Sequence, residues 1–137
     1  MASANLELVR SIYAAWERGD ISSAEWAHPE IEYVFAGGPT PGTWRGLAGM
    51  AVGARTFFEA WEDFRIEADE YRELDDERVL VLDHFSGRGK ASGLEIGPVQ
   101  SKGAALFHVR GGKVSRFVRY FEGGRERVLA DLGLAPE

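Results

Sequence analysis

Apolar and polar positions alternate most clearly over residues 75–122, where three apolar runs are separated by short turn clusters. The first is Arg78-Val79-Leu80-Val81-Leu82-Asp83-His84-Phe85-Ser86, the second spans residues 103–109, and the third spans residues 114–122. Side chains of a strand point alternately to its two faces. Leu80, Leu82, His84 and Ser86 therefore share one face, and Val79, Val81, Asp83 and Phe85 share the other. Both sets begin apolar, so the sheet is expected to be covered on both sides. A charged or titratable residue interrupts an apolar face in each run, and that is where chemistry is expected.

The remaining pattern is helical before the sheet and short after it. Leu6, Val9, Ile12, Tyr13 and Trp16 recur at spacings of three and four and predict a helix over residues 3–18, ended by Gly19. A short second helix is expected over residues 22–26, then a strand over 30–35 with Glu32 and Val34 on one face and Ile31, Tyr33 and Phe35 on the other. Residues 36–45 form a Gly/Pro-rich loop, with the composition of a pocket lid or of a plain connection. A third helix is predicted over 47–62, a strand over 64–74, and a final short helix carrying Val128, Leu129 and Leu132. Helices laid on an antiparallel sheet define an α+β domain, here one domain over residues 1–137. A second copy of the chain is the expected cover for the second apolar face, making a homodimer.

Composition narrows the function classes. The 137 residues carry a formal net charge of −6 without a basic run, which argues against nucleic acid as a partner. There is no cysteine, so neither disulfide nor thiolate chemistry is available. The three histidines form no i,i+4 pair, and no metal site or cofactor is expected. No signal-peptide core opens the chain, and no stretch approaches the roughly 20 apolar residues of a membrane span, so a cytoplasmic setting without membrane contact is expected.

The segment from Val9 to Asp20, the loop ending Trp44-Arg45-Gly46 and the Gly112-Lys113-Val114 entry to the last strand resemble the NTF2-like superfamily, in its SnoaL-like or ketosteroid-isomerase-like branch. The resemblance follows element order over nearly the whole chain. It implies a cone-shaped α+β fold: a curved, mainly antiparallel sheet wrapped around three N-terminal helices, with a short C-terminal helix and a ligand cavity at the open end. Superfamily members include isomerases, polyketide cyclases, epoxide hydrolases, dehydratases and non-catalytic binding domains, so fold alone does not assign a function. Aligned through Gly19-Asp20, the tyrosine, base and protonated aspartate of ketosteroid isomerase fall at Ile12, near Val34 and near Ala105, all apolar here. Tyr13 lies one residue away, on a different face. Leu82-Asp83-His84 does not supply the Arg-x-Asp pattern of limonene-type epoxide hydrolases.

The same alignment assigns Leu80, Leu82, His84 and Ser86 to the concave face, with Phe107, Phe117, Arg119 and Phe121 from the later strands. Trp16, Phe57 and Val34 complete an apolar wall for a small organic ligand. Within it, His84 is the expected acid/base because its intrinsic pKa is near neutrality. Arg119 is the expected donor to a ligand oxygen, and Glu32 orients the imidazole or serves as base. Two readings remain open. One is a cofactor-independent acid/base enzyme using His84, Arg119 and Glu32; the other is a non-catalytic binding or interaction domain in which these charges are structural. Asp83, Glu122 and Arg116 are expected at a dimer seam, with His28 and His108 structural. The glycines of residues 87–93 read as turn and bulge positions.

Overall fold

The computed structural model describes residues 3–20, 24–36, 41–59, 61–89, 101–121 and 124–134. Helix α1 spans Ala4–Glu17, and its stripe Val9, Ile12 and Tyr13 is buried as the spacing predicts. The Ser3 hydroxyl caps it by accepting from the Leu6 amide at 3.1 Å, and Gly19 leaves it at φ 86°. Strand β1 is Ala27–Ala36, β2 is Gly42–Arg45 and helix α2 is Gly46–Glu59. Strands β3 (Trp61–Glu73), β4 (Arg78–Gly89), β5 (Ser101–Arg110) and β6 (Lys113–Tyr120) follow, and helix α3 (Gly124–Asp131) comes last.

The six strands form one sheet in the order β2-β1-β6-β5-β4-β3. The β1–β6 pair is parallel and the other pairs are antiparallel, so the curved sheet is mixed and mainly antiparallel. Part of the loop expected over residues 36–45 is strand β2, which pairs with β1 from Glu32↔Arg45 to Phe35↔Gly42. The short helix expected over residues 22–26 lies partly outside the described residues, and Glu25 and Trp26 form a turn. Strand β1 starts earlier than predicted, with Pro29 inside it. The proline has no N–H to give a ladder, and the β1–β6 register shifts between Ala27 and Glu32.

Helices α1 and α2 pack on one face of the sheet, called inner here, around Ile31, Tyr33, Phe35, Val79, Val81, Phe85, Phe107 and Phe117. The outer face buries Leu80, Leu82, Leu106 and Val118 against Val128 and Leu129 of α3. The final helix thus covers much of the second apolar face within the chain itself. It is locked there by Arg125, whose guanidinium donates to Gly103 O at 3.0 Å, Asp83 O at 2.6 Å and Asp69 Oδ2 at 2.5 Å. Among the described residues, no helix is long and apolar enough to cross a membrane.

Candidate functional site

The polar centre of the inner face joins two strands that are not neighbours. Arg119 of β6 lies opposite Ala105 of β5, and Asp83 of β4 lies opposite Gly103 of β5. These two small β5 residues leave room for the guanidinium to cross the intervening strand. Arg119 Nη2 donates to both Asp83 oxygens at 2.5 Å. A Cβ at Gly103 would sit 3.3 Å from Asp83 Oδ1 and 2.5 Å from Tyr120 O, so only glycine fits this crossing. From α1, the Tyr13 hydroxyl donates to Asp83 Oδ2 at 2.6 Å.

All three side chains are cut off from water: Tyr13 and Asp83 are 0 % exposed and Arg119 is 4 % exposed. Burial pushes the Tyr13 phenol well above its ordinary pKa, and the Asp83 carboxylate raises it further. Burial acts to lower the pKa of Arg119, but Asp83, Tyr13 and the Asp83 hydrogen bond outweigh it and the net shift is upward. The network is therefore a phenol, a carboxylate and a permanent cation. One part of it is incomplete. Arg119 Nε and Nη1 are buried and have no hydrogen-bond partner among the described residues.

Arg119 also lines a cavity of about 470 Å³ between α2 and the inner face of the sheet. Aromatic walls dominate it, with Trp16, Phe35, Phe57, Phe64 and Phe117 contributing rings. Tyr33 and Phe117 stack across the parallel β1–β6 pair at 5.1 Å between ring centres. Among the described lining residues the titratable groups are Tyr33, Arg55 and Arg119, with no carboxylate and no imidazole. Burial raises the Tyr33 pKa, against a lowering by Arg119, so the phenol keeps its proton at neutral pH. Among the described residues no group of three or more histidine, aspartate or glutamate side chains is placed to hold a metal ion.

Of the residues that the resemblance implies for the site, the structure places Trp16, Phe57, Phe117 and Arg119 on this cavity. Phe107 and Phe121 belong to the same aromatic core, Phe107 packing on Phe117 at 5.1 Å and Phe121 on Phe57 at 5.6 Å. The other four expected residues lie on the outer face. Leu82 and Val34 join the α3-covered cluster. Glu32 sits between Arg116 at 3.2 Å and Arg45 at 3.7 Å. His84 Nδ1 is 2.7 Å from Asp69 Oδ1, and its Nε2 is 3.6 Å from Glu67. The expected His84–Arg119 pair is therefore not assembled, nor is Glu32 near either member.

The face assignment of β4 is the correction that matters. Alternation separates Leu80, Leu82 and His84 from Val79, Val81, Asp83 and Phe85, but both sets are apolar enough to be buried. The Tyr13 and Arg119 donors stand on the inner side, where they satisfy Asp83, while α3 supplies leucine and valine to the outer side. A buried carboxylate without those partners would cost several kcal/mol, so the set containing Asp83 turns inward. Asp83, expected at a dimer seam, is instead the buried hub. His108 is half-buried on the outer face, and burial with Arg116 and Arg78 nearby lowers its pKa. His28 Nδ1 accepts from the Glu30 amide at 3.0 Å. Glu122 and residues 90–93 fall outside the described residues.

Sequence reasoning missed Tyr13 and Asp83 as a pair, and it passed over Arg55. One signal was present: a lone aspartate in an apolar run, a lone arginine in another, and glycine and alanine on the strand between them. Opposite charges on apolar strand faces need each other once buried.

A curved mixed sheet, two helices on its inner face and an aromatic cavity beneath α2 define the NTF2-like cone class of α+β fold. An NTF2-like protein of unknown function from Burkholderia pseudomallei K96243 superposes with a TM-score of 0.77 at 20 % identity, covering 94 % of this chain and 97 % of that one. TerC co-crystallised with polyporic acid gives 0.73 at 23 % identity, covering 96 % and 98 %. A protein with a ketosteroid-isomerase-like fold from Catenulispora acidiphila DSM 44928, in complex with trimethylamine, gives 0.67 at 18 % identity and 94 % of each chain. The family model of the SnoaL-like domain matches residues 9–117, and the chain belongs to that family. No curated protein matches it.

Proposed function

We propose that this SnoaL-like protein binds a small, largely apolar organic molecule in the cavity under α2, with an oxygen of the ligand accepting from Arg119. The observation that carries the reading is the pair of buried guanidinium donors, Nε and Nη1, without a partner in an otherwise aromatic surround. An unmet buried donor costs about 1–3 kcal/mol, which a ligand acceptor recovers on binding. Apolar walls with few polar groups suit a compact ring-bearing molecule. The two ligand-bound neighbours differ in ligand chemistry, so the assignment rests on this chain's own side chains.

Catalysis is the second reading, and the phenol of Tyr33 is what favours it. A protonated phenol and a guanidinium on one cavity are suited to stabilising an enolate-type oxygen. A base is harder to supply from the described lining residues. Asp83 is occupied by Arg119 and Tyr13, and His84 faces the other way. Binding is therefore placed ahead of turnover. A cytoplasmic homodimer remains part of this reading, and light scattering at micromolar concentrations measures its mass.

The test compares benzophenone with diphenylmethane, which share two rings and differ in one acceptor oxygen. Thermal shift and calorimetry are run on wild type and on Arg119→Lys, which keeps a cation for Asp83 but has neither Nε nor Nη1. Benzophenone is expected to bind more tightly than diphenylmethane in wild type, and equally in the variant. At about 100-fold above Kd, binding adds roughly 2.7 kcal/mol of stability. Equal binding of both compounds by the wild type, or none by either, refutes the Arg119 assignment.

A further inference from the structure

The mouth of the cavity carries a charge that the floor does not. On α2, Leu47, Ala51 and Arg55 recur every four residues along one stripe, and all three line the cavity while exposed to solvent. Met50 and Phe57, on the adjoining stripe, are buried at 6 % and 2 % exposure and form the deeper wall. This edge of α2 is thus the rim, and Arg55 is its cation. Leu47, 42 % exposed, is with Val52 a large apolar side chain open to water among the described residues, and it continues the apolar wall out to the rim.

The two cavity arginines differ in charge balance. Arg119 is neutralised by Asp83, so the floor offers donors without net charge. Arg55 has no ion pair among the described residues, and no carboxylate lines the cavity there. Among the described lining residues Arg55 is therefore the uncompensated positive charge, although the chain carries a formal net charge of −6. An anion approaching this net-negative chain is attracted at the rim by Arg55.

Resting on the binding reading above, we infer that the ligand is an amphipathic monoanion: an apolar ring body, a neutral acceptor oxygen at Arg119, and a carboxylate held at the rim by Arg55. Arg55 is then a specificity-determining residue that selects acids over their neutral esters.

Calorimetry with 4-benzoylbenzoic acid and its methyl ester tests this inference, since both keep the ketone and rings and differ in the terminal charge. Wild type is expected to prefer the acid by about fivefold, the upper range for an exposed ion pair. The preference should shrink as sodium chloride rises, because a rim charge is screened. Arg55→Gln is expected to bring acid and ester within twofold of each other, and Arg55→Lys to restore the preference. Equal affinity of acid and ester in wild type overturns the Arg55 inference while leaving the cavity reading standing. A preference that persists in Arg55→Gln overturns it too. Absence of binding by both compounds overturns this inference and the binding reading together.

Discussion

Arg119 and Asp83 meet across a strand that belongs to neither of them, with Nη2 2.5 Å from each carboxylate oxygen. Ala105 and Gly103 of β5 make that crossing possible, and Tyr13 closes it from the helical side. The contact ties β4, β6 and α1 together at the floor of the cavity. It also removes Asp83 from use as a free base.

Cutting that contact on one side should be far worse than removing it whole. Asp83→Ala leaves a buried guanidinium without its counter-ion and is expected to cost about 3–5 kcal/mol in urea unfolding. The double variant Asp83→Leu with Arg119→Met removes both charges, and it should be more stable than Asp83→Ala alone. A double variant no more stable than Asp83→Ala would mean that the pair is not coupled.

Two glycines of α2 should respond in opposite directions to the same substitution. A Cβ at Gly49 would make ordinary contact with Trp44 at 3.5 Å, whereas one at Gly53 would come within 2.6 Å of the Trp44 ring. Alanine in a helix interior gains up to about 1 kcal/mol over glycine. Overpacking costs about 1–3 kcal/mol. Gly49→Ala is therefore expected to raise the unfolding midpoint and Gly53→Ala to lower it. A rise in both would show that Trp44 yields freely.

Acid should weaken the fold partly through His108. Its folded pKa is lowered, chiefly by burial and then by Arg116 and Arg78. The unfolded chain, with a histidine pKa near 6.5, then binds the proton first as pH falls. The stability His108 contributes is thus complete above that value and lost as pH drops through it toward the folded pKa. His108→Gln should flatten the stability–pH curve between about pH 7 and 5 relative to wild type. Parallel curves for the two proteins would remove His108 from the account.

Much of the cavity wall was readable because helices and strands repeat at known periods. Those periods group Trp16 and Phe57 with helical stripes and Phe117 with Arg119 on one strand face, and the family resemblance is what implied that these groups face the cavity. His84, Leu82, Glu32 and Val34 were placed on the inner face and lie on the outer one. Within β4 the alternation itself was right. Its phase was not, because Val79-Leu80-Val81-Leu82 offers two apolar faces and no local signal to choose between them.

By itself the sequence determined the long elements and their order apart from strand β2, the buried stripe of α1, the family resemblance and the grouping of strand residues by face. Local periodicity encodes these, since each depends only on neighbours along the chain. Tertiary structure alone decided which face of β4 turned inward, and with it that Asp83, not His84, meets Arg119. That choice depends on desolvation. A carboxylate is buried only where distant donors are already waiting, and Tyr13 and Arg119 come from elements 70 and 36 residues away.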